Sequence, residues 1–325
     1  GACLFVFGGL GGNGARFNDA WLLARGDGFF EWKRPKASGR PPSRRRDAVA
    51  CEARGMSNDG PGLVVVYGGA ADAGAAALLG DLWVLAFSLK TIATWSAVVF
   101  GPDSSPAPAP RLGATLARAG TAKVLLFGGL TKPKDAAAAA AVVHTVEVAA
   151  GASSVDPYVA TASAMPCAVA DASLAPPSRR SGVVCAVLGN ERKVLAFGGF
   201  DGRLRRAHSD VWELAMDEET GGTWARLHDG VASNYVAGSM DRPKVPALAA
   251  FTKRHLAVLS ESDDGDRLDE LLSVSVREAP GAGAVPEHRI AAIIRRLGAA
   301  RPLDIPPPDV AEPEPERPEP AEGED

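Results

Sequence analysis

The sequence predicts an all-β fold that is assembled from one repeated unit of four strands. An apolar strand ending in a Gly-Gly doublet recurs at intervals of 60, 60 and 70 residues, with its second glycine at Gly9, Gly69, Gly129 and Gly199. The six tryptophans fall into three pairs, Trp21 with Trp32, Trp83 with Trp95 and Trp212 with Trp224. A fixed period of this size is typical of solenoids, propellers and other repeat arrays.

The clearest copy of the unit is residues 193–224, and its segments favour strands for physical reasons. The apolar run before the doublet suits a strand buried on both faces, and the paired glycines permit positive φ where the chain turns. In the next segment Asp210, Trp212 and Leu214 alternate with period two, so Trp and Leu share one face. Because a Trp buries roughly 150 to 250 Å², we expect the indoles to supply the contact between adjacent sheets.

A fourth segment, which has arginine near its start and proline in it or just before it, precedes the Gly-Gly strand at 43–53, 109–119 and 178–188. The unit therefore reads Pro/Arg strand, Gly-Gly strand, Asp-x-Trp strand and Trp strand. In this order the residues resemble kelch repeats, over roughly residues 1–276. The resemblance implies a kelch-type β-propeller of four-stranded antiparallel blades around a central channel.

The chain departs from the kelch pattern in several units. Ala114 and Val183 stand where the family has a His. In the third unit the residues 144–148, HTVEV, stand in place of Asp-x-Trp-x-Leu, with the histidine at the Asp position. A fifth unit, over 242–276, has lost the glycines and keeps only strand patterns. We expect it to form a blade nevertheless.

The first unit lacks a Pro/Arg strand, since the chain begins at Gly1 inside a Gly-Gly strand. Five units are visible against six or seven in the family, which favours a fragment of a larger ring. The alternative is a strand supplied from the far end of the chain, but no Pro/Arg strand is visible there.

Two further segments follow the predicted propeller domain of 1–276. Residues 285–298 predict a short amphipathic helix, because apolar side chains recur at i, i+3, i+4 and i+7 between a proline and a glycine. We expect this helix to pack on the propeller, and the alternative is a partner-binding helix. Residues 299–325 are rich in Pro and Glu without apolar periodicity, which predicts a disordered acidic tail.

The net charge is divided unevenly along the chain. Residues 301–325 hold nine acids and two arginines, a net charge of −7, whereas the whole chain has −4. The first 300 residues therefore carry about +3. This charge is small beside that of nucleic-acid-binding proteins, and the basic loops contain no interspersed aromatic residues for base stacking. No nucleic-acid partner is predicted.

Membrane association is not predicted either, because no run of 18 apolar residues is present. The four cysteines show no CxxC spacing, and Cys3, Cys51 and Cys185 lie within strand patterns as small apolar residues. Unpaired buried cysteines are typical of a reducing compartment. We expect a cytoplasmic protein, with the nucleus as the alternative.

One face of the propeller is predicted to bind a partner. The loops between second and third strands and the connections between blades emerge on the same face, and binding residues concentrate on such loops. The basic side chains expected there are Arg16, Arg44, Lys132, Lys134, Arg203, Arg205, Arg206 and His208. Since Arg presents a fork of donors that matches carboxylates, we expect a monomeric protein-interaction scaffold whose partner is an acidic peptide.

An enzyme is the alternative function. Galactose-oxidase-like kelch propellers hold copper with Tyr and His beside a Cys-linked Tyr, whereas the five histidines here show no metal-site spacing. Tyr67 falls in a core strand pattern, and Tyr158 and Tyr235 fall in loops. No Gly-x-Ser-x-Gly element or phosphate-binding loop stands out. No catalytic residue, metal or cofactor is therefore predicted, and metal analysis of the purified chain would discriminate the two classes.

Overall fold

The structure is a computed structural model, and its described part consists of strands and their connections, without a helix. It describes residues 3–12, 14–25, 30–55, 61–71, 78–87, 92–104, 107–131, 142–152, 157–188, 192–201, 206–217, 221–229, 248–252, 255–261, 268–278 and 290–299, the last four ranges as backbone. No helix within these ranges is long and apolar enough to span a bilayer.

The strands group into five blades. Blade 1 has β1 (Cys3–Leu10), β2 (Arg16–Arg25) and β3 (Phe30–Lys33), and β4 (Ala37–Ser38) follows it. Blade 2 has β5 (Val49–Arg54), β6 (Gly62–Tyr67), β7 (Leu82–Phe87) and β8 (Ala93–Phe100). Blade 3 has β9 (Leu112–Arg118), β10 (Lys123–Leu130), β11 (Val143–Ala150) and β12 (Tyr158–Met165), and β13 (Cys167–Val169) follows it.

Blade 4 has β14 (Val184–Leu188), β15 (Lys193–Asp201), β16 (Arg206–Asp217) and β17 (Gly221–His228). Blade 5 has β18 (Leu248–Thr252), β19 (His255–Glu261), β20 (Leu268–Glu278) and β21 (Ile290–Ala299). Within each blade, strands that are consecutive in the chain are antiparallel neighbours. The first strands β5, β9, β14 and β18 contact one another in turn. This confirms the predicted all-β propeller, with four strands in each of blades 2 to 5 and three in blade 1 within the described residues.

The core lies between the blades, and period-two alternation divides each Gly-Gly strand between two cores. In β6, Leu63 and Val65 pack towards blade 3, while Val64 and Val66 pack towards blade 1. All four are buried, each contributing about 1.5 to 3 kcal/mol through apolar burial. The Gly-Gly strand is thus buried on both faces, as its composition predicts.

The indoles pack between blades as the sequence predicts. Trp95 of blade 2 lies 5.3 Å from Phe7 of blade 1, measured between ring centroids. Trp224 of blade 4 lies 5.9 Å from Phe127 of blade 3, edge to face. Aromatic pairs at such distances stabilise an interface beyond their buried area.

The Gly-Gly doublets allow the backbones of neighbouring blades to meet. Gly68 has a φ of +67°, and a Cβ on it would lie 2.5 Å from the carbonyl oxygen of Arg111 in the next blade. Gly128 has the same φ and would place a Cβ 2.5 Å from the Arg180 carbonyl oxygen. Only glycine satisfies both the positive φ and the close approach.

Each connection between blades adds a short parallel strand to the outer edge of the next blade. β4 pairs with β8, the end of β8 pairs with β12, and β13 pairs with β17. These pairings cover the open edges of the fourth strands, which would otherwise expose unpaired backbone groups.

The C-terminal helix prediction is wrong for Ile290–Ala299, which forms strand β21 and pairs antiparallel with β20. The segment holds three isoleucines, whose β-branched side chains favour strands, and the free edge of β20 supplies backbone partners. The acidic tail, 300–325, lies outside the described residues.

Candidate functional site

The loop face is the end of the propeller where the Gly-Gly strands finish and the Asp-x-Trp strands begin. Three arginines that precede the inner strands are buried beneath it, with at most 5% of their surface exposed: Arg45, Arg111 and Arg180. The carbonyl of each accepts a hydrogen bond from the second glycine of the preceding blade, at 2.9 Å from Gly9, 2.8 Å from Gly69 and 2.6 Å from Gly129. Each arginine therefore joins two blades through its backbone.

In blade 2 the arginine side chain holds an aspartate. Arg45 Nη1 donates to the Gly68 carbonyl oxygen (3.0 Å) and to Asp81 Oδ1 (2.7 Å), and Nη2 donates to Asp81 Oδ2 (2.8 Å). Trp83 Nε1 donates to the same Oδ2 (2.6 Å). We call this set the Arg-Asp-Trp brace. Its forked pairing fixes both the distance and the orientation of the two strands.

Blade 4 repeats the brace. Arg180 Nη1 donates to the Gly198 carbonyl oxygen (3.1 Å) and to Asp210 Oδ1, and Nη2 donates to Asp210 Oδ2 (2.9 Å). Trp212 Nε1 donates to Asp210 Oδ2 (2.7 Å). The brace is therefore a repeated element of the loop face.

The brace lowers the pKa of the Asp81 and Asp210 carboxyls. Burial alone would raise both pKa values, since it disfavours the charged form, but the hydrogen bonds from arginine and indole outweigh it. Both carboxylates are therefore charged at neutral pH and neutralise the buried arginines.

Blade 3 keeps the arginine but loses the aspartate. In the β10–β11 pairing His144 lies opposite the residue two positions before the Gly-Gly doublet. In blades 2 and 4 the residue at this same position lies opposite Trp83 and Trp212, respectively. His144 thus occupies the tryptophan position, and Val142 occupies the aspartate position. This corrects the sequence interpretation, which placed His144 at the aspartate position, because backbone pairing rather than motif spacing sets the register.

Arg111 keeps the pose of the other two arginines. Its Nη1 donates to the Gly128 carbonyl oxygen (3.0 Å) and its Nε donates to the Ala109 carbonyl oxygen (2.9 Å). The Tyr67 hydroxyl lies near this guanidinium, and burial raises the pKa of the hydroxyl to about 12, so this neighbour is neutral. No carboxylate pairs with Arg111 among the residues that the structure describes. Burial lowers the pKa of Arg111, and the charge of Arg179 lowers it further.

His144 lies beside this unpaired cation. Only 5% of its surface is exposed, and its Nδ1 has no hydrogen-bond partner within the described part of the chain. Burial and the charge of Arg111 lower its pKa to about 4, so the imidazole is neutral at pH 7. In blades 2 and 4 an arginine and a tryptophan both donate to the aspartate carboxylate. Blade 3 has a guanidinium and an imidazole at these two donor positions.

Comparison with known proteins identifies the repeat, although no protein-family model matches the chain. Adagio-like protein 1 of Oryza sativa subsp. japonica is 31% identical over 230 residues, which are 70% of this chain and 33% of that protein. An F-box/kelch-repeat protein of Arabidopsis thaliana is 33% identical over 138 residues, 40% of this chain and 26% of that protein. The solved structure of YjhT, a kelch propeller, matches with a TM-score of 0.51 at 15% identity, over 90% of this chain and 81% of that one. The chain belongs to the kelch-repeat β-propeller family.

The kelch chain spans a third or less of the length of the curated relatives that it matches. YjhT supports the fold alone, because its sequence identity is low.

The kelch blades place half of the predicted binding residues at the loop face. Arg16 opens β2, Arg206 opens β16, His208 follows it by two residues, and Arg44 lies exposed before β5. The other four predicted residues lie outside the described residues: Lys132, Lys134, Arg203 and Arg205. The four placed residues come from blades 1, 2 and 4, and their role in binding stays a prediction.

Sequence reasoning recognised the Pro/Arg strand of the kelch unit but gave its buried arginine no role. The signal in the sequence is the position of this arginine. Arg45, Arg111 and Arg180 lie 23, 17 and 18 residues before the glycine whose carbonyl oxygen accepts their hydrogen bond. A cation repeated at a fixed place before a buried strand needs an anionic partner, and the Asp of Asp-x-Trp supplies it twice.

A second surface feature lies between kelch blades 3 and 4, away from the loop face. It is a cavity of about 430 Å³, whose polar lining includes Lys123, Thr145, Ser163, Arg192 and Asp217. The Thr145 and Ser163 hydroxyls are hydrogen-bonded to each other at 2.7 Å. Its charges are of both signs, so it suits an acidic partner less well than the loop face does.

Within the described ranges, no three His, Cys, Asp or Glu side chains lie close enough together to hold a metal ion. Tyr67 is buried in the core and donates to the carbonyl oxygens of Pro108 (2.8 Å) and Ala109 (3.0 Å). Tyr235, which the copper-enzyme alternative would also use, lies outside the described residues.

Proposed function

We propose that this kelch propeller is a protein-interaction module whose loop face binds an acidic peptide of a partner protein. The observation that carries the proposal is the set of basic side chains at the loop face, above strand ends that the buried arginines hold in place. The relatives include an F-box/kelch-repeat protein, and relatives of this kind suggest a protein-interaction module.

The charge distribution supports an acidic partner. Arg44 is exposed next to the brace arginine Arg45, whose own charge is already neutralised by Asp81. Arg16 and Arg206 begin their strands at the same end of the propeller. An acidic segment meeting several such guanidinium groups gains charge-assisted, forked hydrogen bonds and faster association.

The brace supports a rigid binding surface. It fixes the ends of the strands from which the loops of blades 2 and 4 leave, so that these loops start from fixed positions. Loops held on a rigid scaffold lose less conformational entropy when they bind, which favours the loop face as the binding surface.

The experiment is fluorescence polarisation with a fluorescein-labelled, blocked acidic peptide, Ac-EEDEE-NH2, titrated with the full chain. We expect the triple charge reversal at Arg203, Arg205 and Arg206 to weaken binding by about tenfold or more, and Arg44→Glu by a smaller factor, because each change replaces attraction with repulsion. Binding to the unmodified chain is expected to weaken as salt is raised.

The matched control is Lys123→Glu, which makes the same change of charge at the start of β10, away from the loop face. We expect this variant to bind like the unmodified chain. If the control weakens binding as much as the loop-face variants do, either net charge alone or the cavity that Lys123 lines accounts for binding, and the proposed face is wrong.

The acidic tail is a competing occupant of the same face. Deleting residues 301–325 removes a net charge of −7, and if the tail docks on the loop face, the deletion strengthens peptide binding. If the deletion changes neither the affinity nor its salt dependence, self-docking of the tail is ruled out. We also propose that the kelch propeller binds its partner without catalysing a reaction and that it is located in the cytoplasm.

A further inference from the structure

Blade 3 differs from its two neighbours in a way that leaves a place for a negative charge. Blades 2 and 4 each bury an arginine against an aspartate, and Trp83 and Trp212 donate to the same carboxylates. Blade 3 keeps the arginine at the equivalent position and has no acid there in the described part of the chain. The chain therefore contains two internal examples of how a carboxylate is held at this position.

The guanidinium of the third arginine is already in position for such a carboxylate. Arg111 Nη1 donates to the first glycine of its Gly-Gly doublet at 3.0 Å, as Arg45 Nη1 does at 3.0 Å and Arg180 Nη1 at 3.1 Å. The other neighbours of the Arg111 side chain in the described part of the chain are neutral oxygens, and a buried guanidinium without an anion is energetically costly. Arg179 adds a second positive charge nearby.

A second and independent observation is the buried imidazole. His144 stands at the register position of the two indoles, and its Nδ1 is buried without a hydrogen-bond partner within the described residues. A neutral imidazole carries one N–H, so it can donate to a carboxylate at this position as the indoles do. Blade 3 thus combines a buried guanidinium without an anion and a buried imidazole nitrogen without a hydrogen-bond partner in the described part of the chain.

The position is open to solvent. Val142, at the aspartate position, exposes 43% of its surface. In blade 2 the equivalent Asp81 side chain exposes 39% of its surface while it pairs with Arg45. The aspartate position of blade 3 is therefore accessible from solvent.

We propose that Arg111 and His144 form a carboxylate-binding site in blade 3, at the place of the missing aspartate, and that an acidic side chain of the bound partner peptide occupies it. The site rests on the proposed function, which it makes more specific by naming one anchoring position on the loop face. The peptide carboxylate takes the place of the aspartate that blades 2 and 4 carry in their own sequence.

The test uses Val142→Asp, which returns the aspartate to blade 3, and Val142→Asn as a matched uncharged control. The probe is the labelled Ac-EEDEE-NH2 peptide with the full chain. An internal carboxylate has a high effective concentration, so we expect Val142→Asp to weaken peptide binding by about tenfold or more. Val142→Asn is expected to stay within about twofold of the unmodified chain, because it adds no charge.

A second measurement needs no variant. The ring resonances of His144 are titrated by NMR in the unmodified chain at pH 7, with sodium acetate and with sodium chloride at equal ionic strength. Acetate is ionised at this pH and accepts a hydrogen bond from the imidazole if it occupies the site, so we expect acetate to shift these resonances and chloride to leave them in place. This readout also holds if a variant at position 142 fails to fold.

Three outcomes would overturn the site. The first is equal peptide affinity of the Asp and Asn variants at position 142, and the second is the same His144 titration in acetate and chloride. The third is a large gain in peptide affinity on deletion of 301–325 or on Asp135→Asn, which changes the one acidic residue that the sequence holds between β10 and β11; such a gain would show that a carboxylate of the chain itself fills the site. If position 142 has no effect while Arg44→Glu still weakens binding, the loop-face proposal stands and only this site fails.

Discussion

Asp210 accepts hydrogen bonds from both Nη atoms of Arg180, and neither side chain exposes more than 11% of its surface. The carbonyl oxygen of the same arginine accepts a hydrogen bond from Gly129 in the preceding blade. The pair thus holds the inner strand of blade 4 to its own third strand and to blade 3. Losing it should affect stability more than losing any exposed ion pair of the chain.

Asp210→Asn is expected to destabilise the chain by about 3 to 5 kcal/mol, because it leaves the Arg180 guanidinium buried and unpaired. The matched control is Asp19→Asn in blade 1, where the aspartate accepts from Trp21 Nε1 (2.7 Å) and pairs with no arginine in the described part of the chain. The control should lose about 1 kcal/mol, the usual value of one hydrogen bond. Urea unfolding of the three proteins measures both differences, and equal losses would contradict the role of the buried pair.

Gly68→Ala is expected to cost about 2 kcal/mol or more, since it combines a positive φ with a backbone clash. The new Cβ would lie 2.5 Å from the Arg111 carbonyl oxygen at a φ of +67°. Gly12→Ala is the control, because a Cβ there meets nothing within 4 Å. Thermal unfolding followed by circular dichroism compares the two, and the control should stay within about 0.5 kcal/mol of the unmodified chain.

The stability of the chain is expected to fall between pH 6.5 and pH 4 because of His144. Its pKa is lowered to about 4 in the folded chain, so the unfolded chain, with a histidine pKa near 6.5, binds a proton first as the pH falls. The loss is about 2 kcal/mol between pH 7 and pH 5. His144→Leu should remove this component, and urea unfolding at a series of pH values measures it. An unchanged pH dependence in the variant would be the contrary result.

A separate loss of stability is expected at lower pH. The pKa values of Asp81 and Asp210 are lowered in the folded chain, so their contribution is present above the pKa of an unfolded aspartate and is lost as the pH falls through the folded values. This loss lies below about pH 4, and His144→Leu should retain it. Acid titration of the His144→Leu variant, followed by circular dichroism, isolates it from the histidine component.

The sequence was sufficient to predict the elements whose pattern is local. The runs before Gly69, Gly129 and Gly199 are buried on both faces, and Trp95 and Trp224 pack between blades, because period and composition decide both features. The parallel strands β4 and β13 could not be predicted, since each pairs with a strand more than 50 residues away. Nothing in two or three residues indicates such a partner.

The errors at the site and at the C-terminus have the same physical origin. Motif spacing placed His144 two positions away from its register, because the loop before β11 differs in length between units, whereas backbone pairing fixes the position. The segment from Ile290 fits a helical period equally well, but the unpaired edge of β20 offers it hydrogen bonds along a strand. In both cases a tertiary partner decides what the local pattern leaves open.

The binding role of the loop face is tested most directly by hydrogen–deuterium exchange of the full chain with and without Ac-EEDEE-NH2. We predict slower exchange in the presence of peptide at residues 44–47, 68–70 and 111–113, which lie beneath the loop face. Slower exchange confined to residues 119–123, Met216, Asp217 and Gly221, beside the cavity between blades 3 and 4, would place the partner on the other side and contradict the proposed function.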